Sequence, residues 1–203
     1  MKLFSYLEEN PAAYELTQRL LTVNYRLFLG ELKREKFFVP GKSYLDVGCG
    51  TGFLRDHLKN EDYTGLDSNP RYIAAARRKR GDCFQAGSAL ELTFLQRKFD
   101  RIIGVGLMHH LDDQQARAAL VQFCLRLKAD GEIFIIDALW PQNKNVVGRL
   151  LRCSDNGAFV RTLLKWDTLF RETLTVRTLR AVKQWPFDYI IMRGTGKIEA
   201  PTA

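Results

Sequence analysis

Cysteine is scarce, and its placement excludes two classes of small domain. Cys49, Cys83, Cys124 and Cys153 are scattered over 203 residues with no C-x-x-C pair. That spacing gives neither a disulfide framework nor a zinc site and fits reduced thiols in a cytoplasm. No apolar run approaches the ~20 residues of a membrane span. The opening Met1-Lys2-Leu3-Phe4-Ser5-Tyr6-Leu7 is cut short by Glu8-Glu9, which argues against a signal peptide. Internal repeats, low-complexity segments and a second domain are also missing. Histidine occurs three times, and two of the three are adjacent, His109 and His110.

What is present is ordinary for a globular chain: 46% hydrophobic and 27% charged residues. A chain of this length suits one domain with an ample core. The net charge is +8 and is unevenly placed. Residues 141 to 183 hold nine Lys/Arg against three acids, a net of +6. A basic segment suits an anionic small molecule, nucleic acid or an acidic surface, and equally a solvated face. Arg77-Arg78-Lys79-Arg80 ends a helix pattern, where cations complement the dipole and need no partner.

The run Leu45-Asp46-Val47-Gly48-Cys49-Gly50-Thr51-Gly52 carries the most information. It follows the turn signal Pro40-Gly41-Lys42, starts as a short apolar strand and leads into Phe53 to Leu58, which reads as a helix. Strand, glycine-rich turn and helix open a nucleotide-binding βαβ unit. The spacing is G-x-G-x-G, not the G-x-G-x-x-G of dinucleotide binders. Asp67 lies nineteen positions after Gly48, at the end of a second strand pattern, Tyr63 to Leu66. An acid there can take the ribose hydroxyls of a nucleoside ligand. Cys49 reads as a small residue suited to a tight turn.

Leu45 to Gly52 resembles motif I of the class I S-adenosylmethionine-dependent methyltransferases, and Asp67 resembles their ribose-binding acid. Gln85 to Ala89 resembles the adenine loop after their third strand, with Ser88 where many members carry Asp. Phe99 to Leu111 resembles their fourth strand and its loop, and Gly131 to Asp137 their fifth strand. The resemblance spans about residues 40 to 140. It implies S-adenosyl-L-methionine as cofactor, held by Asp46, Gly48, Cys49, Gly50, Gly52, Asp67, Ser68, Gly87, Ser88, Ala89, Gly104 and Val105. It also implies an α/β, Rossmann-like, doubly wound sheet of seven strands with the last antiparallel.

The rest of the chain fits that plan. Asn10-Pro11 opens one long helix or a helix pair over residues 11 to 38, a helical extension ahead of the core. In the resemblance such an extension covers the active site, and Tyr14, Tyr25 and Arg26 are its candidate acceptor-binding residues. Ser68-Asn69-Pro70 caps a helix that runs to Gly81. Asp112-Asp113 caps another, stopped at Asp130-Gly131. Ile133 to Ile136 is a continuous apolar run, as a central parallel strand should be. Residues 142 to 172 read as loop and helix, with a turn at Asp155-Asn156-Gly157. Residues 173 to 193 read as two strands broken near Trp185-Pro186, and 194 to 203 as a flexible tail.

Methyl transfer from a sulfonium needs alignment and a dry pocket, and a hydroxyl acceptor also needs a proton acceptor. His109 and His110 follow the fourth strand at its C-terminal end, where α/β sheets place ligands. Imidazole suits base work near neutral pH. His110 is the preferred base, with His109 nearer the cofactor, and a purely loop-shaping role is the alternative for both. Asp137 either faces the acceptor or bonds a neighbouring loop. Arg161 could hold a carboxylate or phosphate, and Tyr189 could reach the acceptor or fill the core. After the fourth strand there is no N-P-P-Y or D-P-P-Y, which disfavours base amino groups and peptide glutamine. Asp137-Ala138 stands where the metal-dependent catechol type has Asp-Asn, so no metal is expected. The expectation is metal-independent methylation of a small molecule, most simply at a hydroxyl, with an anionic acceptor as one option. The alternatives are an RNA-modifying enzyme using the basic segment and a cofactor-binding protein without catalysis.

Overall fold

The apolar strand patterns assemble into one seven-stranded sheet in the computed structural model, which describes residues 10–21, 25–141, 146–153, 159–184 and 186–197. The order is β3-β2-β1-β4-β5-β7-β6. The strands are β1 (Ser43–Val47), β2 (Asp62–Asp67), β3 (Phe84–Ala86), β4 (Phe99–Val105), β5 (Leu127–Leu139), β6 (Leu174–Gln184) and β7 (Phe187–Gly196). The pairs β1–β2, β2–β3, β1–β4 and β4–β5 are parallel, and β7 runs antiparallel to both β5 and β6. The Rossmann-like sheet expected from the sequence is the one observed. Its chain reversal lies beside β1, so the loops after β1 and β4 open at one edge, where such sheets bind ligands.

Both faces of the sheet are covered, which is why β5 is continuously apolar over residues 133–136. Ile133 and Ile135 join a core with Leu45, Ile102, Leu120, Phe123 and Trp166. Phe134 and Ile136 point the other way, into a core with Phe28, Phe37, Tyr44, Ile73 and Phe84. The helices are α1 (Pro11–Leu21), α2 (Arg26–Arg34), α3 (Pro70–Arg80), α4 (Asp113–Arg126), α5 (Val146–Cys153) and α6 (Leu163–Thr173). Asn69 caps α3 by accepting from Arg71 N, with Pro70 following it. Asp112 and Gln115 close a capping box at α4. No helix among the described residues is long and apolar enough to cross a membrane.

The extension takes the helix-pair form of the two the sequence allowed, with Tyr25 in the left-handed region (φ 59) as α2 begins. Three boundaries differ from the sequence reading. The segment after the glycine loop is a short 3-10 helix, Phe53–His57, because it is too brief to propagate an α-helix before β2 begins. The helix expected to stop at Asp130-Gly131 ends at Arg126. Residues from Leu127 on are already extended, and the register against β4 shifts between Phe99 and Arg101. Thus Asp130-Gly131 lies in a strand irregularity, not at a helix end. The expected tail is strand as far as Gly196, and Lys197 N donates to Thr173 O at 3.1 Å. A Cβ on Gly194 would stand 2.6 Å from Thr175 O, so this glycine serves close strand approach, not flexibility. The turn at Asp155-Asn156-Gly157, Trp185 and residues 198–203 lie outside the described residues.

Candidate active site

The glycine loop is built by hydrogen bonds to the end of β2. Gly48 N and Cys49 N both donate to Leu66 O, at 2.8 and 2.9 Å. Gly48, Gly50 and Gly52 have φ of +75°, +54° and +85°, a region that side chains avoid. They serve different ends. A Cβ on Gly52 would strike the Phe84 ring at 2.4 Å, so Gly52 is required by core packing. A Cβ on Gly50 would stand 3.0 Å from the Tyr14 ring, and one on Gly48 would meet Leu107 at 3.1 Å. Those two glycines border the mouth of the site.

Asp67 closes the loop from β2. One of its oxygens accepts from Gly50 N and the other from Asn69 N, each at 2.8 Å. Burial raises its pKa while these two amides hold it down. A carboxylate has about four lone-pair positions, so two remain for ligand hydroxyls. Gly87 N bonds Asp67 O at 3.0 Å and ties the loop after β3 to the same corner. Ser68 and Ser88 are exposed there, Ala89 is buried, and Ser88 Oγ accepts from Leu90 N. Asp46, buried beneath the loop, accepts from Tyr63 Oη at 2.6 Å, and burial pushes its pKa up to about 7. Cys49 is buried too, and burial raises its thiol pKa well above the ordinary range, so it is unreactive. Gly104 has only ordinary contacts near 3.8 Å, inside the core. Val105 ends β4, and the next residue, Gly106, donates to Ile136 O at 2.8 Å.

The two histidines have unequal surroundings. Both lie in the 3-10 helix Met108–His110, with ring centroids 4.1 Å apart. His110 is exposed, whereas His109 is buried and its Nδ1 lies 2.6 Å from Asp137 Oδ1. Asp137 also accepts from Met108 N at 2.6 Å and Ala138 N at 2.7 Å. Burial alone would raise the Asp137 pKa. His109 and the two amides outweigh it and bring the pKa below the ordinary value. An ionised carboxylate only accepts, so the Nδ1 of His109 is the donor to Asp137, and in the neutral ring Nε2 is the acceptor. Asp137 therefore serves the loop, not the acceptor.

Arg161 is corrected by its contacts. Its side chain is 3% exposed. Nε donates to Asp113, Nη1 to Met108 O and Phe159 O, and Nη2 to Leu111 O. The guanidinium also lies 4.9 Å from the Trp166 ring centroid. With four of its five N–H donors used on protein carbonyls and Asp113, it fixes the histidine loop. Tyr25 stacks on Phe53 at 3.8 Å, and Tyr189 packs edge-on to Phe28, so both serve the core. Arg26 is exposed at the start of α2. Several cations of the basic segment pair within the fold: Arg171 with Asp167, Arg177 with Glu132, and Arg180 with Glu31 and Glu35. Lys144 and the side chain of Arg152 lie outside the description.

Tyr63, Leu107 and Arg80 belong to this corner and carry no sequence signal of their own. Only the strand register and the fold of α3 against the loop bring them in. Among the described residues, no group of three or more His, Cys, Asp or Glu could hold a metal ion.

Residues 45–131 match the model of a methyltransferase domain. The chain is 31% identical over 113 residues to a fatty-acid O-methyltransferase of Mycolicibacterium smegmatis, covering 52% of this chain and 41% of that protein. It is 29% identical over 132 residues to the probable tRNA methyltransferase 9B of Mus musculus, covering 55% of this chain and 28% of that one. The chain thus spans less than half the length of these curated relatives. The N-methyltransferase NodS of Bradyrhizobium japonicum, solved with S-adenosyl-L-homocysteine, shares the fold with a TM-score of 0.60 at 20% identity, covering 78% of this chain and 80% of that one. Sheet order, glycine loop and the acid ending β2 agree with the domain match: residues 45–131 are similar to a methyltransferase domain, and the chain shares the fold of solved methyltransferases.

Proposed function

We propose that this chain methylates a hydroxyl group of a small molecule, with His109 as the general base. The observation that carries this reading is the His109–Asp137 pair, 2.6 Å apart, at the C-terminal end of β4. Asp67, Gly48 and Gly50 would hold the cofactor, whose sulfonium supplies an activated methyl group. Asp137 keeps the His109 proton on Nδ1, which leaves Nε2 to take the hydroxyl proton as the acceptor oxygen attacks. Arg161 holds the loop through Met108 O and Leu111 O, so the imidazole is fixed before the acceptor arrives. The order of the two histidines is reversed from the sequence reading, because the buried one, held by the Asp137 carboxylate, is His109.

Two features weigh against an RNA acceptor and against a requirement for an anionic one. Four arginines of the basic segment, Arg161, Arg171, Arg177 and Arg180, have carboxylate partners within the fold. Arg161, the one side chain singled out for an anion, is spent on the protein. The likeness to a probable tRNA methyltransferase keeps RNA as the competing acceptor. The test is transfer of a labelled methyl group to panels of alcohols, phenols, amines, carboxylic acids and RNA. Hydroxyl acceptors are expected to be labelled, with His109→Ala lowering kcat by roughly 10²–10⁴-fold and His110→Ala by far less. Labelling of RNA alone, with affinity falling steeply in salt, refutes the small-molecule reading. Labelling confined to amines or carboxylates refutes the hydroxyl.

A further inference from the structure

Helix α1 brings one polar group to the glycine loop that the fold leaves without a partner. The Tyr14 hydroxyl lies 3.1 Å from where a Cβ on Gly50 would stand, and its ring stacks on Tyr72 with centroids 4.4 Å apart. Among the described residues the hydroxyl makes no hydrogen bond. Tyr25, Asp67, Tyr72 and Cys49 act on it electrostatically. Burial and these neighbours raise its pKa well above 10, so the phenol stays protonated at any working pH and is available as a donor. The half-buried hydroxyl at the edge of the glycine loop is placed to donate to a ligand held there.

The helix that carries it is fastened to the cofactor side. Glu15 accepts from Lys79 Nζ at 2.7 Å and lies 3.5 Å from Arg80 Nη2. The Arg80 side chain is 2% exposed. It also donates to Thr51 O in the glycine loop at 2.8 Å and pairs with Asp56 through two bonds. Arg80 thus connects α1, α3 and the glycine loop in one network. Nothing in it reaches His109 or the acceptor side.

We propose that Tyr14 is a cofactor-binding residue, not an acceptor-binding one, and that its hydroxyl donates a hydrogen bond to an oxygen of the bound adenosyl cofactor. The oxygen belongs either to the ribose or to the amino-acid carboxylate. This proposal rests on the cofactor assignment alone and is independent of which acceptor is methylated. Glu15 acts through position, by holding α1 against α3.

Calorimetry with S-adenosylhomocysteine and with 5′-methylthioadenosine, which lacks the amino-acid part, tests this on the unmodified chain and on Tyr14→Phe. The Phe variant keeps the ring stack, so its melting temperature without ligand should match the parent. Its affinity for S-adenosylhomocysteine should fall at least about tenfold, the effect of losing a hydrogen bond to a strong acceptor. An equal loss for both ligands puts the contact on the ribose. A loss for S-adenosylhomocysteine alone puts it on the carboxylate. Glu15→Gln should weaken both ligands, and added salt should bring the parent toward that variant. Tyr14→Phe binding both ligands within about twofold of the parent overturns the proposal. A parent that binds neither ligand overturns the cofactor assignment instead.

Discussion

Asp137→Asn separates a base-orienting role from a merely structural one. Asp137 accepts three hydrogen bonds, from Met108 N, Ala138 N and His109 Nδ1. An asparagine offers one acceptor oxygen and one NH2 donor in the same volume. If its oxygen replaces Oδ1, the NH2 faces the Met108 amide, two donors opposed. That arrangement costs about 1–3 kcal/mol of stability. If the amide is turned over, the oxygen keeps Met108 and the NH2 faces His109. The imidazole then accepts at Nδ1 and carries its proton on Nε2, where the acceptor's proton must go. Either outcome lowers stability modestly, and only the second disables the base. With a wrong tautomer the rate should fall by about 10²–10⁴-fold, the range for a lost general base. The assay is kcat and KM for the acceptor, with S-adenosylhomocysteine affinity and melting temperature measured on the same preparations. A large fall in kcat at nearly unchanged KM and cofactor affinity is expected. A lower melting temperature with kcat intact would refute the reasoning and leave Asp137 as a loop anchor.

Further expectations follow from the same contacts. Arg161→Ala removes four hydrogen bonds to the histidine loop and Asp113, and should lower unfolding free energy by about 2–5 kcal/mol in denaturant titration. If it changes only acceptor KM, the residue binds acceptor after all. Gly50→Val should abolish S-adenosylhomocysteine binding in calorimetry while the chain still folds. Gly52→Ala should lower the melting temperature instead, because its Cβ meets Phe84. The Asp46 pKa is raised in the fold, so its contribution to stability is full below the unfolded value of 3.8 and is lost as pH rises through about 7. Asp46→Asn removes that loss and can still accept from Tyr63. Its melting temperature relative to the parent, both without ligand, should therefore climb between about pH 4 and 7, the window between the unfolded and folded pKa values, and level off above it. A constant difference across that range would show that Asp46 does not titrate there.

The sequence by itself determined the sheet and the cofactor corner. Alternation of apolar strands with helices, the left-handed glycines and the acid at the end of β2 are local signals. Each depends on residues a few positions apart, so each is readable from the chain. Capping at Asn69 and Asp112 was legible for the same reason. Local signals failed where a neighbouring strand decided the outcome. Asp130-Gly131 has the composition of a helix stop, but β4 engages Leu127 and then Glu132, so the pair falls in a strand irregularity between them. The Gly194-Thr195-Gly196 stretch has the composition of a flexible tail, but β6 and β5 hold its first residues in the sheet. The division of labour between the histidines was invisible in the same way. His109 and His110 are equivalent as letters, and twenty-eight positions separate His109 from Asp137. Arg161 reads as a free cation until the fold brings Met108, Leu111 and Asp113 around its guanidinium. Charge in a segment is a property of sequence. Whether that charge faces a ligand or a carboxylate of its own fold depends on long-range contacts, which only the tertiary structure supplies.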